Sequence, residues 1–555
     1  MKASCLIVSD TNMAPLAGYL RNDTEPPGVK VVEAPYGLVE PVFLSEHEVW
    51  SRVDREAVAL VWTRPYSAVP AFSQLQLGGA LTREALTAGV DRFVELLLCK
   101  KDRLSALILP LWTLPPAYRN RGPGDLKRGG CQWAIQQMNA QLISLAEEHA
   151  LIHLLDTPSI LANCAGRAYD AKLWHMGKVP FANSIFRQAV GEVKAMLRAL
   201  AGRAKKLIVL DLDDTLWGGS VGEVGWEQIR LGGHDYVGEA FVAFQQALRV
   251  LSARGIILAV ASRNEEQLAL EAIDCHPDMV LRRENFVAWQ IHWGDKAASV
   301  ASLAAELNIG LGDVVFIDDH PAERARVREA LPEVMVPDWP EEPAHYADAL
   351  AGLRAFDTVR LSGEDSRRGA LYAEERRRKA SRQEVESLEV WLGSLELVVT
   401  AKKLTSEDMG RAAQLLNKTN QMNLRTRRMT EEQLAAWAAG EGCEVWTVRV
   451  TDRFGDAGLC GLLGLKGLDG QGGVTDYVLS CRVMGRGVEE ALLHLATVRA
   501  QTNGWSPLQM EILPTKRNSP CRAVLERLLV GAEQGETSWY LEDAFPLPQH
   551  VDMRM

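Results

Sequence analysis

The sequence predicts an α/β protein of about three domains, and three observations carry that expectation. The 555 residues are too many for one core, at about 100–200 residues per domain. Short continuous apolar runs alternate with helical periodicities, the pattern of parallel sheets covered by helices. Hydrophobic residues make up 47% and charged residues 24%. That is the balance of a globular chain rather than a collagen-like, coiled-coil or disordered one.

The first region, 1–195, opens on the apolar strand Leu6–Val8, which ends in Ser9-Asp10-Thr11-Asn12. Val58–Trp62, Ala106–Leu109 and Leu151–Leu155 read as further strands. Asp91–Lys100 and Trp133–His149 read as amphipathic helices. The second region, 196–362, holds the run Leu207–Leu210, as expected of a strand buried on both faces. Ile256–Ala261 and Val314–Ile317 repeat that texture, with helices expected at Glu239–Ala253 and Lys296–Leu307. This is a doubly wound parallel sheet, so its chemistry belongs at the carboxyl ends of the strands. A charged helical linker, 363–395, contains Glu374-Glu375-Arg376-Arg377-Arg378-Lys379, read as a solvated helix face. The third region, 396–555, mixes strands at Val445–Val450 and Val474–Leu479 with a helix at Val488–Gln501, an α+β texture.

Charge and cysteine usage exclude several classes. Asp and Glu number 72 against 61 Lys and Arg, a net charge of −11. A chain built to neutralise nucleic-acid phosphates leans the other way. The nine cysteines form no CxxC pair, which argues against a disulfide framework and a structural zinc site. No run of about 18 apolar residues suggests a membrane span, and Met1–Asp10 has no leader-like apolar core. The expected location is the cytoplasm.

Asp211-Leu212-Asp213-Asp214-Thr215 follows the first strand of the second region. Where the chain turns, Asp211 can face a metal while Asp213 stands beside a leaving group. Paired carboxylates repel without a cation, so Mg²⁺ is implied. Ser262 ends the next strand and can donate to a phosphate oxygen. Lys296 opens a helix and can pair with phosphoryl charge. Asp318-Asp319 end the third strand and supply further carboxylates. A nucleophile, a cation and hydrogen-bond donors are what in-line phosphoryl transfer needs. Thr215, Arg263 and Asn264 adjoin these motifs and are candidates for substrate contact. Only 51 positions separate Asp211 from Ser262 and 34 separate Ser262 from Lys296. That leaves no room for a large lid, and an open site admits a bulky or carrier-borne substrate.

In the third region Arg482-Val483-Met484-Gly485-Arg486-Gly487 lies between a strand and a helix, where backbone N–H groups can approach a pyrophosphate. Gln414–Arg428 gathers Lys418, Asn420, Gln421, Asn423, Arg425, Arg427 and Arg428. It reads equally as a helix end with favourable cations and as an anion site contacting substrate. Glu489, Glu490, His494 and Tyr477 lie nearby, and no spacing singles out a general base.

The four acidic, Ser and Lys motifs resemble those of the haloacid dehalogenase (HAD) superfamily over about residues 200–340. That resemblance implies Asp211 as the nucleophile and Asp213 as general acid/base. It implies Ser262 and Lys296 on the phosphoryl group, and Mg²⁺ on Asp211, the Asp213 carbonyl, Asp318 and Asp319. The Arg482–Gly487 pattern resembles the coenzyme A loop of GNAT acyltransferases, with Arg482, Gly485 and Gly487 as cofactor contacts. Together with Trp217-Gly218-Gly219, Pro321-Ala322-Glu323, Lys418-Thr419-Asn420-Gln421, Asp452–Asp456 and Ser480-Cys481-Arg482, the whole resembles the FkbH-like family. The family resemblance implies an SGNH-like α/β amino-terminal domain, a HAD-like domain with a minimal cap and a GNAT-like domain. It implies an enzyme of polyketide or antibiotic biosynthesis that dephosphorylates a unit derived from 1,3-bisphosphoglycerate. The glyceryl group is then loaded onto the phosphopantetheine thiol of an acyl carrier protein. Leu212 stands between the aspartates where some members carry Cys. This keeps open a second reading, a phosphatase coupled to acyl transfer onto a small sugar or amine. Ser9 sits where an SGNH-like fold places its nucleophile, with Asn163, Asp170 and His175 as companions.

Overall fold

The computed structural model describes residues 3–359 and 387–555, apart from 77, 78, 80, 119–121, 165, 234, 469, 516, 517, 531, 532, 535 and 536, together with Leu371, Glu374, Arg377, Arg378, Ser381, Arg382 and Val385. Most of the charged linker therefore lies outside the described residues. The chain divides into two compact units, Met1–Ala204 with Gly352–Arg360, and Lys205–Ala351 with Leu361–Met555.

The first unit carries a five-stranded parallel sheet in the order Val29–Glu33, Ala3–Ser9, Ala57–Trp62, Leu104–Pro110, Ile152–Leu155. Its three inner strands are apolar because helices cover both faces. The helix Asn183–Leu200 runs through the boundary expected at 195. Its buried Phe186, Val190, Val193 and Leu197 pack with Cys5, Ile7 and Leu60 of the sheet, and this apolar stripe ties it to the first unit.

The second unit holds two sheets. One is parallel, in the order Phe286–Ile291, Ile257–Ser262, Leu207–Leu210, Val314–Ile317. Every residue of Leu207–Leu210 is buried. Leu210 pairs with Val260 on one side and Ile317 on the other. That register brings the carboxyl ends of three strands, and the residues just beyond them, to one edge. Gln245, fully buried on the helix Tyr236–Ala253, ties that helix to the turn beyond the first strand. Its amide donates to Leu216 O at 2.8 Å and accepts from Val280 N and Leu281 N at 3.0 and 3.1 Å. Gln245→Leu leaves three buried backbone groups unpaired. We expect it to lower unfolding stability by about 3 kcal/mol in urea; an unchanged midpoint would contradict this bridging role.

The other sheet has eight strands, in the order Glu533–Gln534, Ser538–Leu541, Leu508–Glu511, Gln471–Leu479, Gly455–Leu468, Cys443–Asp452, Leu397–Lys403, Val551–Arg554. It is mainly antiparallel, with parallel pairs at Gln471–Leu479/Leu508–Glu511 and Leu397–Lys403/Val551–Arg554. The helix Val488–Thr502 packs on it through Leu492, Leu495 and Ala496. The architecture is thus mixed α/β with two parallel sheets and a third, mixed one. Among the described residues no helix is long and apolar enough to cross a membrane.

Candidate active site

The strand Leu207–Leu210 stops because the chain must turn: Asp214 adopts a left-handed φ of +55°, a conformation that Asp tolerates better than most residues. Its carboxylate holds the turn by accepting from Gly219 N at 2.7 Å, and its carbonyl accepts from Tyr346 Oη at 3.1 Å. Asp211 N still donates to Ile317 O, so Asp211 is held beside the next strand end. There Asp318 follows Ile317. Asp211, Asp318 and Asp319 each offer a carboxylate oxygen, all within 4.8 Å of one another. Asp211 is 6% exposed and Asp318 is fully buried.

Lys296 bridges this cluster. Its Nζ lies 2.8 Å from Asp211 Oδ2 and 2.7 Å from Asp318 Oδ2. It opens the helix Lys296–Glu306, whose N-cap Asp295 accepts from Ala297 N. Burial opposes its charge, but Asp211 and then Asp318 outweigh that, and the ammonium stays above its ordinary pKa. Burial, then the charge of Asp211, pushes the Asp318 carboxyl up to about 6 against the pull of Lys296. The same two causes raise Asp319. One ammonium does not balance three carboxylates. Asp211 Oδ1 is also buried without a hydrogen-bond partner. These observations fit a divalent cation on oxygen ligands.

The Asp213 carboxylate takes its hydrogen bonds from outside the cluster. Oδ1 accepts from Trp217 Nε1 at 2.9 Å and Val221 N at 3.2 Å; Oδ2 accepts from Asn264 Nδ2 at 3.0 Å. Burial is the largest influence on its carboxyl and raises its pKa. Such a group, held beside the strand end with its pKa raised, suits acid/base work. Ser262 is buried at the end of its own strand, on the same edge.

Three residues expected at the substrate make hydrogen bonds or ion pairs within the chain. Thr215 is fully buried; its hydroxyl donates to Asp319 Oδ1 and accepts from Asp319 N, both at 3.2 Å, so it positions Asp319. Asn264 is 2% exposed, and its amide is engaged by Asp213 and by Glu265 N. Arg263 turns to Glu323, at 2.6 Å, and to Gly294 O. Sequence reasoning also missed Arg324, whose guanidinium donates to the carbonyls of Asp318 and Asp319, because no spacing rule marks such a contact.

In the carboxyl-terminal sheet the polar cluster is largely paired within the chain. Arg425 pairs with Glu511 at 2.8 Å and Arg427 with the buried Asp476. Asn420 Oδ1 accepts from Arg428. The Gln421 carbonyl accepts from Cys521 N at 3.2 Å, and its side chain is exposed. Lys418 ends the helix Met409–Lys418, and its side chain lies outside the described part. Arg482 Nε donates to Ser480 Oγ at 3.3 Å. Gly485 and Gly487 have φ of +74° and +89° directly before the helix Val488–Thr502. The Gly485 N–H donates to Glu489 Oε1 at 2.6 Å, so one amide expected to face a cofactor faces a carboxylate of the chain.

In the first unit Ser9 is 3% exposed. Its hydroxyl donates to Trp62 O at 2.6 Å and lies 3.0 Å from Thr11 Oγ1. Asp170 caps the helix Ala171–Gly177. Ser9 is thus hydrogen-bonded into the sheet end, and neither Asn163, Asp170 nor His175 is among its partners.

Against this geometry stands one solved structure. The N-terminal part of the protein BF1531 from Bacteroides fragilis, described as containing a phosphatase domain complexed with Mg, is similar at 26% identity and a TM-score of 0.57. The match covers 65% of this chain and 95% of that one. Two further likenesses each cover 26% of this chain. The ribosomal-protein-S18-alanine N-acetyltransferase from Escherichia coli has 13% identity, a TM-score of 0.21 and 96% of its chain covered. An acetyltransferase of the GNAT family from Staphylococcus aureus Mu50 has 8% identity, a TM-score of 0.20 and 98% covered. No family model and no curated protein matches this chain.

Proposed function

We propose that this protein is a Mg²⁺-dependent HAD-type phosphatase that also loads an acyl group onto a thiol. Its proposed substrate is a phosphorylated three-carbon unit, and the proposed product is a glyceryl thioester on an acyl carrier protein. The observation that carries the phosphatase half is the buried cluster of Asp211, Asp318 and Asp319 bridged by Lys296, with one carboxylate oxygen left unpartnered. The similar phosphatase domain in complex with Mg supports it.

Mg²⁺ would be held by Asp211, Asp318 and Asp319, and when bound it supplies positive charge against phosphoryl oxygens. Asp211 attacks the phosphate ester: a carboxylate O–P bond forms, the ester O–P bond breaks, and the leaving alkoxide takes the proton carried by Asp213. Lys296 and Ser262 hold the phosphoryl oxygens. Water then hydrolyses the aspartyl-phosphate, with Asp213 now accepting the proton. The acyl half uses the activation already in an acyl phosphate. A carrier thiolate attacks the acyl carbon, the C–S bond forms, the acyl C–O bond breaks, and inorganic phosphate leaves with that electron pair. Leu212 is buried and holds no thiol, so direct transfer to the carrier is the simpler route.

Mass spectrometry of a holo carrier protein incubated with the enzyme, Mg²⁺ and 1,3-bisphosphoglycerate tests the whole reading. The expected product is a glyceryl-loaded carrier with free phosphate, lost when EDTA replaces Mg²⁺. Phosphate release without any carrier adduct would retain only the phosphatase half. No release from this substrate or from a panel of phosphate esters would defeat both.

A further inference from the structure

The loop that ends in Gly485-Arg486-Gly487 is built like an anion cradle. Its two glycines turn through left-handed conformations. At Gly487 no side chain fits, because a Cβ would meet His550 Nε2 at 2.7 Å. That imidazole nitrogen lies 2.8 Å from Arg486 O and fastens the loop to the carboxyl-terminal segment. The fifteen-residue helix Val488–Thr502 starts at once. Backbone N–H groups in such a place attract negative charge.

Here the chain provides the negative charge itself. Glu489 sits in the helix's first turn and is 2% exposed. Its Oε1 accepts from Gly485 N, while its Oε2 is buried with no hydrogen-bond partner. Tyr477 Oη donates to the Glu489 carbonyl at 2.8 Å and fixes the turn. A buried carboxylate with one bare oxygen is a costly occupant. Burial raises its pKa, and the neighbouring Glu490 adds to the rise.

The adjoining strand is also engaged. Leu424 N donates to Tyr477 O at 3.2 Å and Leu479 N donates to Met422 O at 3.0 Å. As folded, the loop does not fit a bound diphosphate, because the Gly485 N–H is taken and a carboxylate stands beside it.

We propose that Glu489 is a built-in competitor for a diphosphate group at this loop. A diphosphate-bearing donor binds this loop only by displacing the Glu489 carboxylate, and therefore weakly. Glu489 is thus a specificity-determining residue that handicaps diphosphate ligands. The ligand class follows from the loop's glycine turns and N–H groups and not from the proposed function, whose acyl donor is an acyl phosphate.

The test is equilibrium binding of ADP and of coenzyme A to the full chain in EDTA, which removes metal-dependent binding at the carboxylate cluster. ADP carries the diphosphate without the arm. Glu489→Ala is expected to bind ADP at least about tenfold more tightly than the native chain. Glu489→Gln, which drops the charge and keeps the shape, is expected to gain less. An ADP gain without a coenzyme A gain supports the competition and counts against the acyl-donor reading of this domain. Unchanged or weaker ADP binding in both variants, with native circular dichroism in at least one, overturns the proposal. If only Glu489→Gln folds, its gain or lack of gain decides.

Discussion

Asp211→Asn is expected to lose phosphate-releasing activity by at least about a thousandfold, because an amide oxygen is a poor nucleophile toward phosphorus and a poor metal ligand. The variant should nevertheless fold. Lys296 keeps Asp318 as a partner at 2.7 Å, and removing one of three crowded carboxylates relieves repulsion inside the cluster. Two measurements separate chemistry from folding. Phosphate release reads the first, and the urea midpoint in EDTA reads the second; it should hold or rise. In the native enzyme, acid quenching during turnover should trap one phosphoryl group on the chain, on the peptide that contains Asp211. Native-like activity in Asp211→Asn would remove Asp211 from the role of nucleophile. A phosphoryl group on another residue would do the same.

What the sequence made legible was set by how strongly each element depends on local pattern. Leu207–Leu210 and Val314–Ile317 match the expected strands residue for residue, because a strand buried on both faces leaves an unbroken apolar run. Val29–Glu33 and Phe286–Ile291 are edge strands with one neighbour each; Lys30 and Glu33 break the first run, and the second is a short run, Phe286–Trp289, closed by Gln290. The acid motifs were readable because parallel pairing turns separate stretches into adjacent strand ends. Side-chain direction was not. Thr215 and Asn264 stand beside the acid and Ser motifs in sequence, yet their side chains bond to Asp319 and Asp213. The R-x-x-G-x-G pattern in the third region marked a cradle, but its filling by Glu489 depends on where the first helical turn carries a carboxylate.

Removing Lys296 should reveal the electrostatic design of the site through stability as well as rate. Asp211 and Asp318 lie against this one ammonium, and all three are almost wholly buried. Lys296→Met keeps most of the stem volume and leaves two carboxylates facing each other. Breaking a buried ion pair from one side costs about 3–5 kcal/mol, and that loss is expected in EDTA. Mg²⁺ should return part of it, since a cation that binds the folded cluster stabilises the folded state by mass action. The double variant Lys296→Met/Asp318→Asn gives the sharper reading. With one stranded charge removed, it should be more stable in EDTA than Lys296→Met alone, and by more than Asp318→Asn stabilises the native chain, the non-additivity expected of residues in contact. It should stay inactive, because the proposed site then lacks its ammonium and one of its carboxylates. If Lys296→Met unfolds at the native urea midpoint, or Asp318→Asn makes it less stable, charge balance does not organise this cluster. The case for a cation at Asp211, Asp318 and Asp319 would then lose its physical basis.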